Sequence, residues 1–89
     1  MDLFKERRFG TFTFDAEHIR HNAQGIQMLM SGCIVVRAEH LFAPDVFEYT
    51  ALHPDFEPVK EGQLPWAYDV LFTKHEDGRI TYEFKRREP

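Results

Sequence analysis

The sequence predicts a two-layer α+β fold, with one N-terminal helix packed on one face of a four- to five-stranded antiparallel sheet. Three observations lead there. Apolar residues recur at helical spacing between residues 15 and 31. Segments on either side of that stretch alternate with a period of two. Turn residues, Ala43–Pro44–Asp45 and Asp77–Gly78, separate the later segments.

Phe9 to Phe14, FGTFTF, alternates as a short strand with Phe12 and Phe14 on one side. Asp15 then reads as an N-cap, whose carboxylate accepts the free amide hydrogens of a first turn. Ala16, Ile19, Ala23, Ile26 and Met30 form the apolar stripe of a helix over 15–31. Gly25 weakens that helix and is expected to let a sheet approach closely. Gly32 is expected to terminate it in the left-handed conformation.

Residues 33–42, CIVVRAEHLF, place Ile34, Val36, Ala38, His40 and Phe42 on one face. The turn at 43–45, with proline second, leads into VFEYTAL. Pairing Phe42 with Phe47, His40 with Tyr49 and Ala38 with Ala51 puts the aromatic rings on one side. In the last hairpin, a three-residue loop of Glu76, Asp77 and Gly78 pairs Phe72 with Tyr82 and Val70 with Phe84. It also pairs Thr73 with Thr81 and Leu71 with Glu83, which separates apolar from polar faces. A two-residue loop would mix them, so the bulged turn with left-handed Gly78 is expected.

The chain reads as a single domain over 1–89, with basic terminal tails at about 1–8 and 85–89. Fifteen acidic against eleven basic residues give a net charge of −4, which disfavours bulk attraction to nucleic acid. Cys33 is the only cysteine, so no intrachain disulfide forms and a reducing compartment is expected. No signal-peptide run or membrane-length apolar stretch is present, and the expectation is a cytoplasmic protein without a membrane partner.

The irregular stretch HPDFEPVKEGQLPW, residues 53–66, is long for so small a domain. Its spaced apolar residues suggest a strap covering a sheet edge, or an arm that presents Trp66 to a partner. The favoured function is a non-enzymatic protein-interaction module, homodimeric or bound to another protein. Its candidate contact residues are Phe56, Leu64 and Trp66 on the loop, with Val35, Leu41, Leu52 and Leu71 on the open sheet face. An alternative is a small-ligand or catalytic pocket built from His40, Tyr49, His53, Tyr68 and Tyr82. A third reading is weak nucleic-acid contact through Lys5, Arg7, Arg8, Lys85, Arg86 and Arg87, brought together if the chain ends meet. His18 and His21 share a helical face but supply too few ligands for zinc, so no metal is expected. No phosphate-binding glycine loop, nucleophile elbow or paired-cysteine motif occurs, and neither a cofactor nor a catalytic residue is assigned.

Overall fold

The computed structural model describes residues 2–43 and 45–88. It is an α+β fold with a few short helices and a five-stranded sheet. The elements are α1 (Leu3–Glu6), β1 (Phe9–Asp15), α2 (Ala16–His21), α3 (Ala23–Ser31), β2 (Ile34–Leu41), β3 (Val46–Leu52), β4 (Trp66–Lys74) and β5 (Ile80–Arg86).

The expected single helix is two. Asp15 caps α2 as anticipated, accepting the His18 amide at 2.6 Å. The backbone then leaves the helical region at Asn22, with φ −135° and ψ 39°. This break resets the apolar phase, so Leu29, outside the expected stripe, is fully buried with Ile26, while Ala23 is exposed. Gly25 makes room for Asn22 rather than for a strand. A Cβ there would lie 2.6 Å from the Asn22 side-chain oxygen. Gly32 is also not left-handed, with φ −91° and ψ −2°. Its small size matters instead, because a Cβ would fall 2.7 Å from the Tyr82 hydroxyl.

The sheet order is β2-β3-β1-β4-β5. The sheet is mixed, not purely antiparallel as the sequence suggested. β1 runs parallel to β4, with Gly10 opposite Trp66 and Thr11 opposite Ala67. All other neighbours are antiparallel. The cause is that β1 lies between β3 and β4. β3 ends beside the start of β1, with Leu52 opposite Phe9. β4 starts at that same end, so residues 53–65 must step across β1, two strand spacings or about 10 Å. A two-residue hairpin cannot do this, so the topology requires a longer connection, and the extra length carries Phe56 and Val59 back into the core.

The β4–β5 register agrees with the expected one at every named pair: Phe72 with Tyr82, Val70 with Phe84, Thr73 with Thr81 and Leu71 with Glu83. Gly78 is left-handed, with φ 89°. The β2–β3 register differs from the expected one by two residues. His40 faces Phe47 and Ala38 faces Tyr49. Phe42 thus falls beyond the strand and is 85% exposed, rather than joining the aromatic layer. A two-residue slip keeps each side chain on its face, so alternation alone could not reject it. A bulge between Val35 and Arg37 then places Val35 opposite Ala51, off the face first assigned to it. Pro44 of the expected turn lies outside the described residues; Asp45 beside it has φ 66°.

The core forms where α3 lies across the sheet, touching β2 and β5. Phe12, Phe14, Ile26, Leu29, Ala51, Phe56 and Tyr68 are buried there, with Tyr49, Val70, Phe72, Tyr82 and Phe84 packed around them. Phe12 meets Phe14 edge-on at 5.6 Å, and Phe56 stacks on Tyr68 at 4.5 Å. Such ring pairs add to the area term that holds a small core together.

Candidate functional site

The segment 53–65 is a strap. Phe56 and Val59 are buried, and Phe56 inserts between Tyr68 and Phe84, 4.5 Å from each ring. Both ends of the chain hold the strap. Arg7 donates from Nε to the Val59 carbonyl at 3.0 Å, and the Val59 amide donates to the Arg7 carbonyl at 2.8 Å. Arg8 donates to the carbonyls of Phe56, at 3.0 Å, and Pro54, at 3.3 Å. Arg86 pairs with Glu57, whose amide donates to the Tyr68 hydroxyl at 2.9 Å.

This arrangement uses most of the charge in the candidate basic patch. Arg8 also pairs with Glu6 at 3.1 Å, Arg86 with Glu88 at 3.3 Å, and Arg87 with Asp69. Arg7 covers the Phe9 ring at 5.7 Å. Lys5 and Lys85 alone in the set make no ion pair or side-chain hydrogen bond among the described residues. The residues expected to form tails at 1–8 include a short helix, α1, capped by Asp2.

The five pocket candidates are divided. His40 sits opposite Phe47, six residues from His53 along β3, which is about 20 Å at 3.3 Å per residue. His40 stacks on Phe47, at 4.4 Å, meets the tilted Phe42 ring at 4.5 Å, and bonds Asp45 at 2.7 Å. Tyr49 packs on Phe12. Only His53 and Tyr82 bond each other, at 3.1 Å, with Tyr68 nearby on Phe56.

In that pair His53 is buried and Tyr82 half-buried. The Nδ1 of His53 accepts the Asp55 amide at 3.0 Å, so its proton resides on Nε2 and goes to the Tyr82 hydroxyl. Burial lowers the His53 pKa, opposed in part by Asp55. Burial also raises Tyr82, with Cys33 and Asp55 acting the same way. The Cys33 thiol is pushed up to about 11 by burial, which removes its thiolate at neutral pH. Tyr68 is likewise raised, mainly by burial. The histidine, phenol and thiol therefore sit in their neutral forms.

The candidate contact residues are also dispersed. Phe56 and Leu52 are fully buried and offer no surface. Leu41 and Leu71 remain on the open sheet face, but β3 and β1 separate their strands by three spacings, about 14 Å. Between them the register places Thr11, Thr13, Glu48 and Thr50. Leu64 is 89% exposed, and Trp66 is partly covered by Arg86, whose guanidinium carbon lies 4.6 Å from the ring centre.

Two features escaped sequence reasoning. One is an open groove of about 440 Å³ lined by Gln24, Met28, Gly78, Arg79, Ile80 and Thr81. Two of its polar side chains are engaged nearby, Arg79 with Asp77 and Thr81 with His75. The other is the outer edge of β2. Ile34, Val35 and Val36 are 45%, 40% and 48% exposed, and no strand pairs with that edge among the described residues. The apolar run was visible in the sequence, but strand order was not.

Among the described residues, no group of three or more histidine, cysteine or acidic side chains could hold a metal ion. No helix among them is long and apolar enough to cross a membrane. Comparison with family models, with curated proteins and with solved structures finds no match for this chain.

Proposed function

We propose that the chain is a non-enzymatic protein-interaction module that works by strand addition at the open edge of β2. A single observation carries this reading: three consecutive exposed apolar residues, Ile34 to Val36, lie on an edge strand whose outer side pairs with no strand among the described residues. An unpaired edge presents amide and carbonyl groups ready to bond an incoming strand, and apolar side chains beside them gain by being covered. Natural edges are commonly blunted by lysine or proline. Residues 34–41, IVVRAEHL, contain neither; the strand carries a bulge at Val36 and two exposed charges of opposite sign, Arg37 and Glu39, which together leave the edge without net charge. Leu64, near the end of the strap, and Trp66, the first residue of β4, form a secondary contact surface. The lone cysteine suits a reducing cytoplasm.

The pocket alternative loses support because His40 stands far from His53, and both ring nitrogens of His53 are already bonded within the chain. Nucleic-acid contact loses support because Arg8, Arg86 and Arg87 are paired with carboxylates.

The test is photo-crosslinking inside the source cell. A benzoylphenylalanine placed at Val36 should give discrete protein adducts, while the same group at Glu76, on the hairpin tip, should give none. Absence of adducts at position 36 would overturn strand addition.

A further inference from the structure

We infer that the strand received by β2 is the β2 of a second copy of this chain, antiparallel and centred on Ala38; this rests on the strand-addition reading. The argument comes from charge. Arg37 and Glu39 stand two residues apart on one face of β2, with Arg37 donating to Glu39 at 3.1 Å. Both side chains are well exposed. A two-fold axis through Ala38 sets Arg37 opposite the partner copy's glutamate at 39, and Glu39 opposite its arginine at 37. Two opposite-charge pairs then form across the new ladder, and the intrachain pair becomes a four-charge cluster.

Neighbouring registers do worse. Centring on Arg37 sets arginine against arginine, and centring on Glu39 sets glutamate against glutamate. Like charges directly opposite each other destabilise a ladder. In the favoured register Ala38 meets Ala38, and Val36 meets His40. The exposed Val36 is then covered by the imidazole stacked on Phe47. Small residues at the axis also let the backbones approach without a side-chain clash. In an antiparallel ladder, alternate residues aim their backbone groups outward. A register centred on one residue aligns outward groups with outward groups for either phase of β2, so the backbone raises no objection. The bulged residue Val36 and its opposite, His40, end the pairing, so the regular ladder is formed by Arg37, Ala38 and Glu39 of each copy. An isologous contact of this kind closes on itself and does not propagate into fibres.

The experiment uses the full chain in sedimentation and disulfide-trapping assays. In a Cys33→Ser background, Ala38→Cys should form an interchain disulfide on mild oxidation, since opposed strand residues lie about 4.5–5.5 Å apart. Leu41→Cys should not, because this register puts the two copies of residue 41 about 20 Å apart. Arg37→Glu and Glu39→Arg should each weaken the dimer by roughly tenfold, and the double reversal should restore it to within about threefold. Circular dichroism should report unchanged folding for these exposed positions.

A dimer that traps at 41 but not at 38, or that ignores both charge reversals, overturns this register and leaves strand addition standing. A chain that stays monomeric at millimolar concentration, yet is crosslinked at Val36 to a different protein, overturns self-pairing alone. A monomer with no adduct at Val36 removes both.

Discussion

His53 Nε2 lies 3.1 Å from the Tyr82 hydroxyl and closes the lower end of the core, where the strap leaves β3. With Nδ1 taken by the Asp55 amide, both ring nitrogens are used, and the imidazole is held neutral.

This neutral histidine should make stability depend on pH in a defined direction. Burial lowers its pKa in the folded state, while the unfolded chain keeps the ordinary value of 6.5. On acidification the unfolded state therefore takes up the proton first. The contribution is complete above that value and is lost as pH falls below it toward the folded-state pKa. Denaturation midpoints for wild type should drop between about pH 7 and pH 5.5, and His53→Gln should show a shallower drop over that window. Equal slopes would mean that His53 does not carry the effect.

Phe56 and Trp66 should separate the two roles of the strap. Phe56 is fully buried among Phe12, Tyr68 and Phe84. Phe56→Ala should cost about 3–5 kcal/mol, enough to threaten folding in a domain of this size. The gentler Phe56→Leu should remain folded with a reduced denaturant midpoint. Trp66→Ala removes a partly exposed ring and should cost far less. A Trp66 variant as damaging as Phe56→Ala would show that the anchor had been misplaced.

Gly10 should resist even alanine. It sits in the central strand, and a Cβ would lie 2.8 Å from ring carbons of both Phe56 and Tyr68. Those rings are buried and stacked, so relief requires the strap to move. The expected cost is about 1–3 kcal/mol, read as a lower thermal midpoint. A neutral Gly10→Ala would show that the strap yields freely over β1.

Cys33 should be a slow thiol. With a pKa of about 11, roughly one molecule in a thousand carries the thiolate near pH 8. Alkylation by iodoacetamide should be at least about tenfold slower in the native protein than in the denatured chain. Comparable native and denatured rates would show an open, ordinary thiol.

Local pattern was legible wherever a short-range rule had one answer. The β4–β5 register followed from turn chemistry and facial separation together, since the competing loop mixed polar with apolar residues. The Asp15 cap followed from a side chain reaching three residues ahead. The β2–β3 register was different. Two pairings two residues apart satisfied the same alternation, and the bulge between Val35 and Arg37 left no mark in the residue pattern. The helix break at Asn22 was equally silent, because the apolar stripe could be drawn through it.

The candidate site divided along the same line. The residue pattern alone was enough for the α+β class, the last hairpin and the Asp15 cap, but not for the full core, since Leu29 and Leu52 are buried and Phe42 is exposed against expectation. Only the tertiary structure decided that β1 lies between β3 and β4, that arginines from both ends hold the strap, and that β2 is an edge. The physical reason is range. Capping, turn geometry and alternation act over a few residues and are written in order along the chain. Strand order depends on contacts between distant segments whose energies are nearly independent of sequence separation, so the residues that meet cannot be read from their spacing.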